Sequence, residues 1–222
     1  MKLYAIKYGE SLFPASQFFK GDKSGRLIPI SWMFYAVKSG HEIILIDTGF
    51  SDAGDAKKFG VNLLPYQPAL SALGMTSESI IKVVLTHTHF DHAANLFLYP
   101  NATVIVNRRD TESAALSKVN KAHVLAFDES YQVAPGMIVR HAGGHTAGSS
   151  YVDLTIGKKT YLLTGDEAYL PENVAKLIPI GSFTDSEANI RFLKMAKDSG
   201  AEILTFHDPA IVKIGCVRQI AP

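Results

Sequence analysis

The chain has 222 residues, 47% apolar and 19% charged, with a formal net charge of +1. That balance excludes a disordered chain and predicts one domain, residues 1–222, with a sizeable core. Lysine and arginine are scattered rather than gathered into a basic stripe, so the expected partner is a small-molecule substrate, with no nucleic acid and no membrane.

At the amino terminus Lys2 and Lys7 interrupt the apolar residues, and no apolar run reaches spanning length, so neither a signal peptide nor a membrane helix is expected. Met1 to Tyr8, Trp32 to Val37 and Glu42 to Ile46 are rich in β-branched and aromatic residues between Gly and Pro punctuation, and read as strands. Phe13 to Pro29 lacks a sustained period and is expected as a loop; Ser51 to Met75 resembles it and is long enough to cover a site. Ser77 to Ile81 is expected as a short helix, followed by a buried strand over Lys82 to Leu85. Further strands are expected at Thr103 to Val106, Met137 to Arg140, Ser150 to Leu154 and Thr160 to Leu163, with a helix between Asp110 and Leu116. Thr184-Asp185-Ser186-Glu187 supplies cap donors and first-turn acids for a helix whose face is Ile190, Leu193 and Ala196 and whose end is Gly200. A strand over Glu202 to Phe206 then runs into His207-Asp208. Cys216, the only cysteine, excludes an internal disulfide and a thiolate zinc cage; within Ile214-Gly215-Cys216-Val217 it is expected as a small buried hydrophobe of a cytoplasmic protein.

The chemistry concentrates in His87-Thr88-His89-Phe90-Asp91-His92. Extended backbone alternates its side chains, so His87, His89 and Asp91 share one side, and His92 needs a turn to join them. Neutral imidazoles and carboxylates are what zinc accepts, and two ions need more donors than this cluster holds. Further donors follow strand ends: His145 in the glycine-rich Gly143-Gly144-His145-Thr146-Ala147-Gly148-Ser149, Asp166 after Tyr161-Leu162-Leu163, and His207. A carboxylate has two oxygens and can serve two cations, whereas an imidazole binds one, so Asp166 is the natural bridge.

The order Asp47-Thr48-Gly49, the His87 cluster, Gly144-His145-Thr146, Gly165-Asp166 and Phe206-His207 resembles the metallo-β-lactamase superfamily. The resemblance implies an α/β fold, a four-layer αββα sandwich with the metals at one edge of two packed sheets. It implies one ion on His87, His89 and His145 and a second on Asp91, His92 and His207, with Asp166 and a hydroxide between them. The ions are expected as two zinc, with iron or manganese as alternatives. Asp47 is implied to hold the metal loop by hydrogen bonds; on its residues alone a turn aspartate before Thr-Gly reads equally well. His41, His123 and His141 are left over and are expected as surface or satisfied core residues.

Two such ions with a shared hydroxide would perform metal-assisted hydrolysis on substrates that develop an oxyanion, with Asp91 relaying a proton to the leaving group. Tyr169, three residues past Asp166, and the pair His207-Asp208 resemble the N-acyl homoserine lactone lactonases, a quorum-quenching group. That resemblance implies that the Tyr169 hydroxyl polarises a lactone carbonyl; the competing reading is an aromatic buried under the Leu170-Pro171 corner. The chain departs from the group at Ala93-Ala94-Asn95, where Ala-Gly-Gly is usual. The expected activity is therefore opening of a small ester or lactone. The alternatives are a thioesterase, a phosphodiesterase or nuclease of the same fold, or an iron-dependent enzyme of the persulfide dioxygenase type.

Overall fold

The computed structural model describes residues 1–117 and 119–222. Its strands are β1 (Lys2–Pro14), β2 (Leu27–Ser39), β3 (Glu42–Ile46), β4 (Asn62–Leu63), β5 (Ile80–Val84), β6 (Thr103–Asn107), β7 (Val124–Phe127), β8 (Ser130–Ala134), β9 (Met137–His141), β10 (Ser150–Ile156), β11 (Lys159–Leu163), β12 (Glu202–Leu204) and β13 (Val217–Ala221). They form two mixed sheets, ordered β13-β1-β2-β3-β5-β6-β7 with β4 against β1, and β12-β11-β10-β9-β8.

Alternation along the strands decides what faces where. Leu3, Ala5, Met33, Tyr35, Ile44, Ile46, Val84 and Ile105 point between the sheets, where they meet Val139, Val152, Leu154, Tyr161 and Leu163. The intervening residues Tyr4, Ile6, Phe34, Leu45, Val83 and Val104 point outward. They pack against Phe18 of α1 (Ala15–Phe18), Ala56 of α2 (Ala53–Phe59) and Leu70 of α3 (Gln67–Ala72). A short turn of helix, α4 (Phe90–Ala93), follows β5. On the far side of the second sheet, Leu162 meets Val174 of α5 (Pro171–Lys176) and Phe192, Leu193 and Ala196 of α6 (Ser186–Asp198). Three apolar spaces thus separate four layers in the order α, β, β, α, as the family resemblance implied.

The α6 signals hold: Asp185 accepts from Glu187 N–H at 2.9 Å and Ala188 N–H at 3.0 Å, and Gly200 takes a φ of +67° just past the helix. Ile190 is only half-buried, and the covered face is Ala188, Asn189, Phe192, Leu193 and Ala196.

Other expectations are corrected. Phe13 to Pro29 is not a loop: β1 and β2 run on as a two-stranded arm, pairing Leu12 with Pro29 and Phe13 with Ile28, with α1 beyond. Ser51 to Met75 holds α2, β4 and α3, seated on the core by Ala56, Val61, Tyr66 and Leu70. Ser77–Ser79 is a 3₁₀ turn, and the helix expected between Asp110 and Leu116 is two such turns, Arg108–Asp110 and Ala114–Leu116. Cys216 is only half-buried, because its run crosses the surface at Ile214, which is 90% exposed. Strands β7, β8 and β13 and helix α5 were not expected. Among the described residues no helix is long and apolar enough to cross a membrane.

Candidate metal centre

The His87 cluster begins where β5 ends, and Asp47, just past β3, anchors both of its ends. Fully buried, Asp47 takes Thr86 N–H on Oδ1 at 2.7 Å, and Thr86 Oγ1–H and the His92 Nδ1–H on Oδ2 at 2.7 Å each. Its φ of +64° lies in the left-handed region, a conformation held by these bonds and by Asp47 N–H to the Val84 carbonyl at 2.8 Å. Burial raises the Asp47 pKa, and the opposing pull of His92 and Thr86 does not cancel the effect. The Tyr8 hydroxyl donates to the Asp91 carbonyl at 2.7 Å, and Thr48 N–H to the His92 carbonyl at 2.7 Å. Gly49 is needed beside them: at its φ of +70° a Cβ would lie 2.8 Å from the Tyr8 ring.

Two groups of donor atoms result: His87, His89 and His145, and Asp91, His92, Asp166 and His207. In the first, His89 Nδ1 lies 3.0 Å from His87 Nε2 and 2.9 Å from His145 Nε2. His145 Nδ1 must carry its proton, since it faces the Ser182 carbonyl at 2.8 Å, and His207 Nδ1 likewise faces the Ser31 carbonyl at 3.1 Å. Both rings therefore turn an Nε2 lone pair inward. Burial, then the neighbouring His92, holds His87 well below the ordinary histidine pKa; burial and His145 lower that of His89. Uncharged imidazoles are the form a metal requires.

Asp166 stands between the groups. Its Oδ2 is 3.5 Å from His145 Nε2 and 3.8 Å from His87 Nε2, and its Oδ1 is 3.1 Å from His92 Nε2 and 3.3 Å from His207 Nε2. Each oxygen thus addresses one group. Asp91 Oδ2 completes the second group at 3.3 Å from His92 Nε2. Burial works to raise the Asp166 pKa, yet His92 and His207 together hold it well below the carboxylate range. Burial works to lower the pKa of His92, and Asp166, Asp91 and Asp47 outweigh it, leaving the ring well above its ordinary value. Two buried atoms at the centre, His92 Nε2 and Asp166 Oδ1, have no hydrogen-bond partner. Orphaned inward donors, all nitrogen and carboxylate oxygen, fit a pair of divalent ions.

Glu167 is a structural element of this site that the sequence reading missed. Fully buried, it accepts on Oε1 from Gly144 N–H and His145 N–H at 2.9 Å each and from Ser149 Oγ–H at 2.5 Å, and on Oε2 from Asn189 Nδ2–H at 2.9 Å. The glycine-rich turn around His145 brings backbone close to a neighbour. At Gly144 the close approach is to Glu167, whose Oε2 lies 2.3 Å from where a Cβ would stand, and to Asn189 Cα at 2.7 Å. The only sequence signal was a charged residue directly after Leu162-Leu163-Thr164-Gly165-Asp166.

Tyr169 is buried, and it lies at the cavity. It is 7% exposed and packs edge-on against Phe18 with ring centroids 4.8 Å apart, and it also lines the cavity over the donor atoms. Its hydroxyl is 3.4 Å from His145 Nδ1, and burial keeps the phenol neutral by pushing its pKa well up. The cavity, about 210 Å³, has Phe13, Phe18, Ile30, Trp32, Phe59 and Phe90 in its walls and His89, Asp91, His145, Asp166 and His207 in its floor. Gln17 and Ser182 add neutral polar groups, and among the described residues no lysine or arginine lines it. His41, His123 and His141 lie outside both donor groups among the described residues, and His141 Nε2 instead faces the Ala147 carbonyl at 2.9 Å.

A family model described as the metallo-beta-lactamase superfamily matches residues 28–207. An N-acyl homoserine lactonase of Bacillus sp is 26% identical over 219 residues, covering 89% of this chain and 87% of that protein. N-acyl homoserine lactonase AttM of Rhizobium johnstonii is 27% identical over 233 residues, covering 86% of each. Among solved structures, an N-acyl homoserine lactone hydrolase with the product N-hexanoyl-L-homoserine at its catalytic metal centre superposes with a TM-score of 0.80 at 21% identity, over 96% of this chain and 95% of that one.

Proposed function

The chain belongs to the metallo-beta-lactamase superfamily, and on that premise we propose that it is a two-metal hydrolase that opens a small neutral lactone, in the first instance an N-acyl homoserine lactone. His87, His89 and His145 would hold one ion, and Asp91, His92 and His207 the other, with Asp166 serving both. Divalent ions, zinc by the donor chemistry, supply an activated water and polarise an ester carbonyl when bound.

The observation that carries the substrate class is the lining of the cavity: apolar and aromatic walls above a floor of metal-ligating side chains, with no lysine or arginine among the described residues. The walls offer the charge of a phosphodiester or a carboxylated ring no partner apart from the ions of the floor, so burying such a group against them is costly. An uncharged acyl chain loses nothing there and gains from burial, about 25 cal/mol for each Å² of apolar surface covered. The curated lactonases, which this chain matches over most of their length, support the same reading.

Within the cavity, the neutral phenol of Tyr169 is placed to donate to the substrate carbonyl as negative charge gathers on its oxygen. Asp91, at the floor, is placed to pass a proton to the departing alkoxide. Asp47 and Glu167 hold the two loops that carry the ligands and touch no substrate.

A pH-indicator screen of zinc-loaded protein against acyl-homoserine lactones, simple lactones, thioesters, phosphodiesters and β-lactams tests this. Lactones are expected to lead. Preference for a phosphodiester would overturn the reading, and iron content with sulfur-dependent oxygen uptake would redirect it to redox chemistry.

A further inference from the structure

The cavity over the donor atoms measures about 210 Å³, less than the roughly 300–1,000 Å³ of pockets that enclose a drug-sized ligand. Part of its wall is Trp32, the single tryptophan of the chain. Trp32 sits on β2 opposite Gly9 of β1, and Ser11 follows two residues along β1 on the same face of the pair. At Gly9 a Cβ would lie 2.6 Å from Val61 Cγ1 and 3.6 Å from Trp32 Cβ, so the position directly opposite the indole carries no side chain. The ring reaches its diagonal neighbour: Trp32 Nε1–H donates to Ser11 Oγ at 2.8 Å. A buried indole N–H calls for such a partner, and a partner at a fixed place also fixes the rotation of the ring. Held in this way, the indole touches both the arm and the metal loop. It meets Phe13 of the arm edge-on with centroids 5.8 Å apart, Phe90 of the metal loop at 6.3 Å, and the donor ring of His207 at 5.3 Å and 89°.

We propose that Trp32 determines specificity by closing the cavity to long acyl tails, that Ser11 is its positioning residue, and that the substrates are therefore lactones with a short acyl chain. The inference rests on the lactone-opening function proposed for this site. An indole in contact with Phe13 and Phe90 at once stands where a tail would leave between the arm and the metal loop. Its ring contacts alone are apolar and without direction, and a ring so held can turn to admit a longer chain. The bond to Ser11 removes that freedom, because turning would leave a buried N–H without an acceptor.

Zinc-loaded wild type is expected to open N-butanoyl homoserine lactone with a kcat/KM at least equal to that for the N-decanoyl substrate. The decanoyl-to-butanoyl ratio should rise about tenfold in Trp32→Leu, the gain from covering roughly two more methylenes. It should rise about threefold in Ser11→Ala, where one hydrogen bond is lost and the ring contacts stay. Trp32→Leu is a large-to-small change at a buried site, whereas Ser11→Ala removes only a half-buried hydroxyl and keeps the test open if the first variant unfolds. The change should lie in KM for the decanoyl substrate, with kcat held. Ser11→Thr retains the hydroxyl and should retain the wild-type ratio, and Ser11→Ala should add nothing in a Trp32→Leu background. Calorimetric titration with ring-opened N-decanoyl homoserine reads the same gains as affinity, without turnover. A ratio unmoved in the folded variants, or a wild type that prefers the decanoyl substrate, would overturn the inference. A wild-type protein that opens no lactone refutes the proposed function, whereas an active wild type with an unmoved ratio refutes the roles of Trp32 and Ser11 alone.

Discussion

Glu167→Gln replaces a single atom and should be among the most damaging conservative changes in this protein. Four donors converge on the two carboxylate oxygens: two backbone N–H groups and one hydroxyl on Oε1, and the Asn189 amide on Oε2. A glutamine keeps one acceptor oxygen. If it faces the three donors, its NH₂ meets the NH₂ of Asn189, which cannot turn over because its Oδ1 holds Ile180 N–H at 3.2 Å. Each remaining bond drops from the charge-assisted to the neutral class, about 1 kcal/mol apiece, and the facing amides add about 1–3 kcal/mol for an unmet buried group. The sum is about 4–6 kcal/mol, comparable with the whole stability of many domains. Urea denaturation of chelated protein isolates this loss from metal binding, and a competition titration with a zinc chelator measures how far His145 has drifted. A loss under 1 kcal/mol with unchanged zinc affinity would refute the claim that this carboxylate organises the His145 turn.

Gly144→Ala should act on the same turn from the other side, costing about 2–4 kcal/mol of stability through overpacking against Asn189; an unchanged melting temperature would show that the turn yields. Tyr169→Phe should lower kcat/KM for lactones about tenfold while metal analysis still finds about two zinc per chain; equal rates on every lactone would remove the tyrosine from the mechanism. In chelated protein, His92 is raised above its ordinary value of 6.5 by three carboxylates. The stability it contributes is then full below about pH 6.5 and is lost as pH rises through the raised value. Accordingly, the stability gap between chelated wild type and His92→Asn should narrow from pH 6 to pH 9, and a widening gap would reverse the sign.

The donor cluster was legible because its signals are local. His87, His89, Asp91 and His92 fall within six residues, and Asp166 and His207 each follow an apolar strand, so strand ends carry the chemistry. Glu167 was not legible, since two of its four donors are backbone N–H groups more than twenty residues upstream, and backbone donors leave no mark in a sequence. The bonds of Asp47 to Thr86 and His92 were opaque for the same reason of distance, and only the family resemblance pointed to them. The arm from Phe13 to Pro29 was misread because beyond Gly9 exposed and half-covered residues replace the deep burial that makes strand alternation visible; Leu12 is 61% exposed and Leu27 56%.

That arm has a bearing on how such a protein changes over time. The floor of the cavity is built from strand ends locked into two sheets, while Phe13, Phe18 and Ile30 reach it from an appendage whose strands pair chiefly with each other and whose tip is fastened by backbone bonds at Gly181 and Pro179. Lengthening or repacking the appendage would reshape the cavity wall without touching the strand ends that carry the donor cluster. The cavity floor and this part of its wall thus come from separate stretches of the chain.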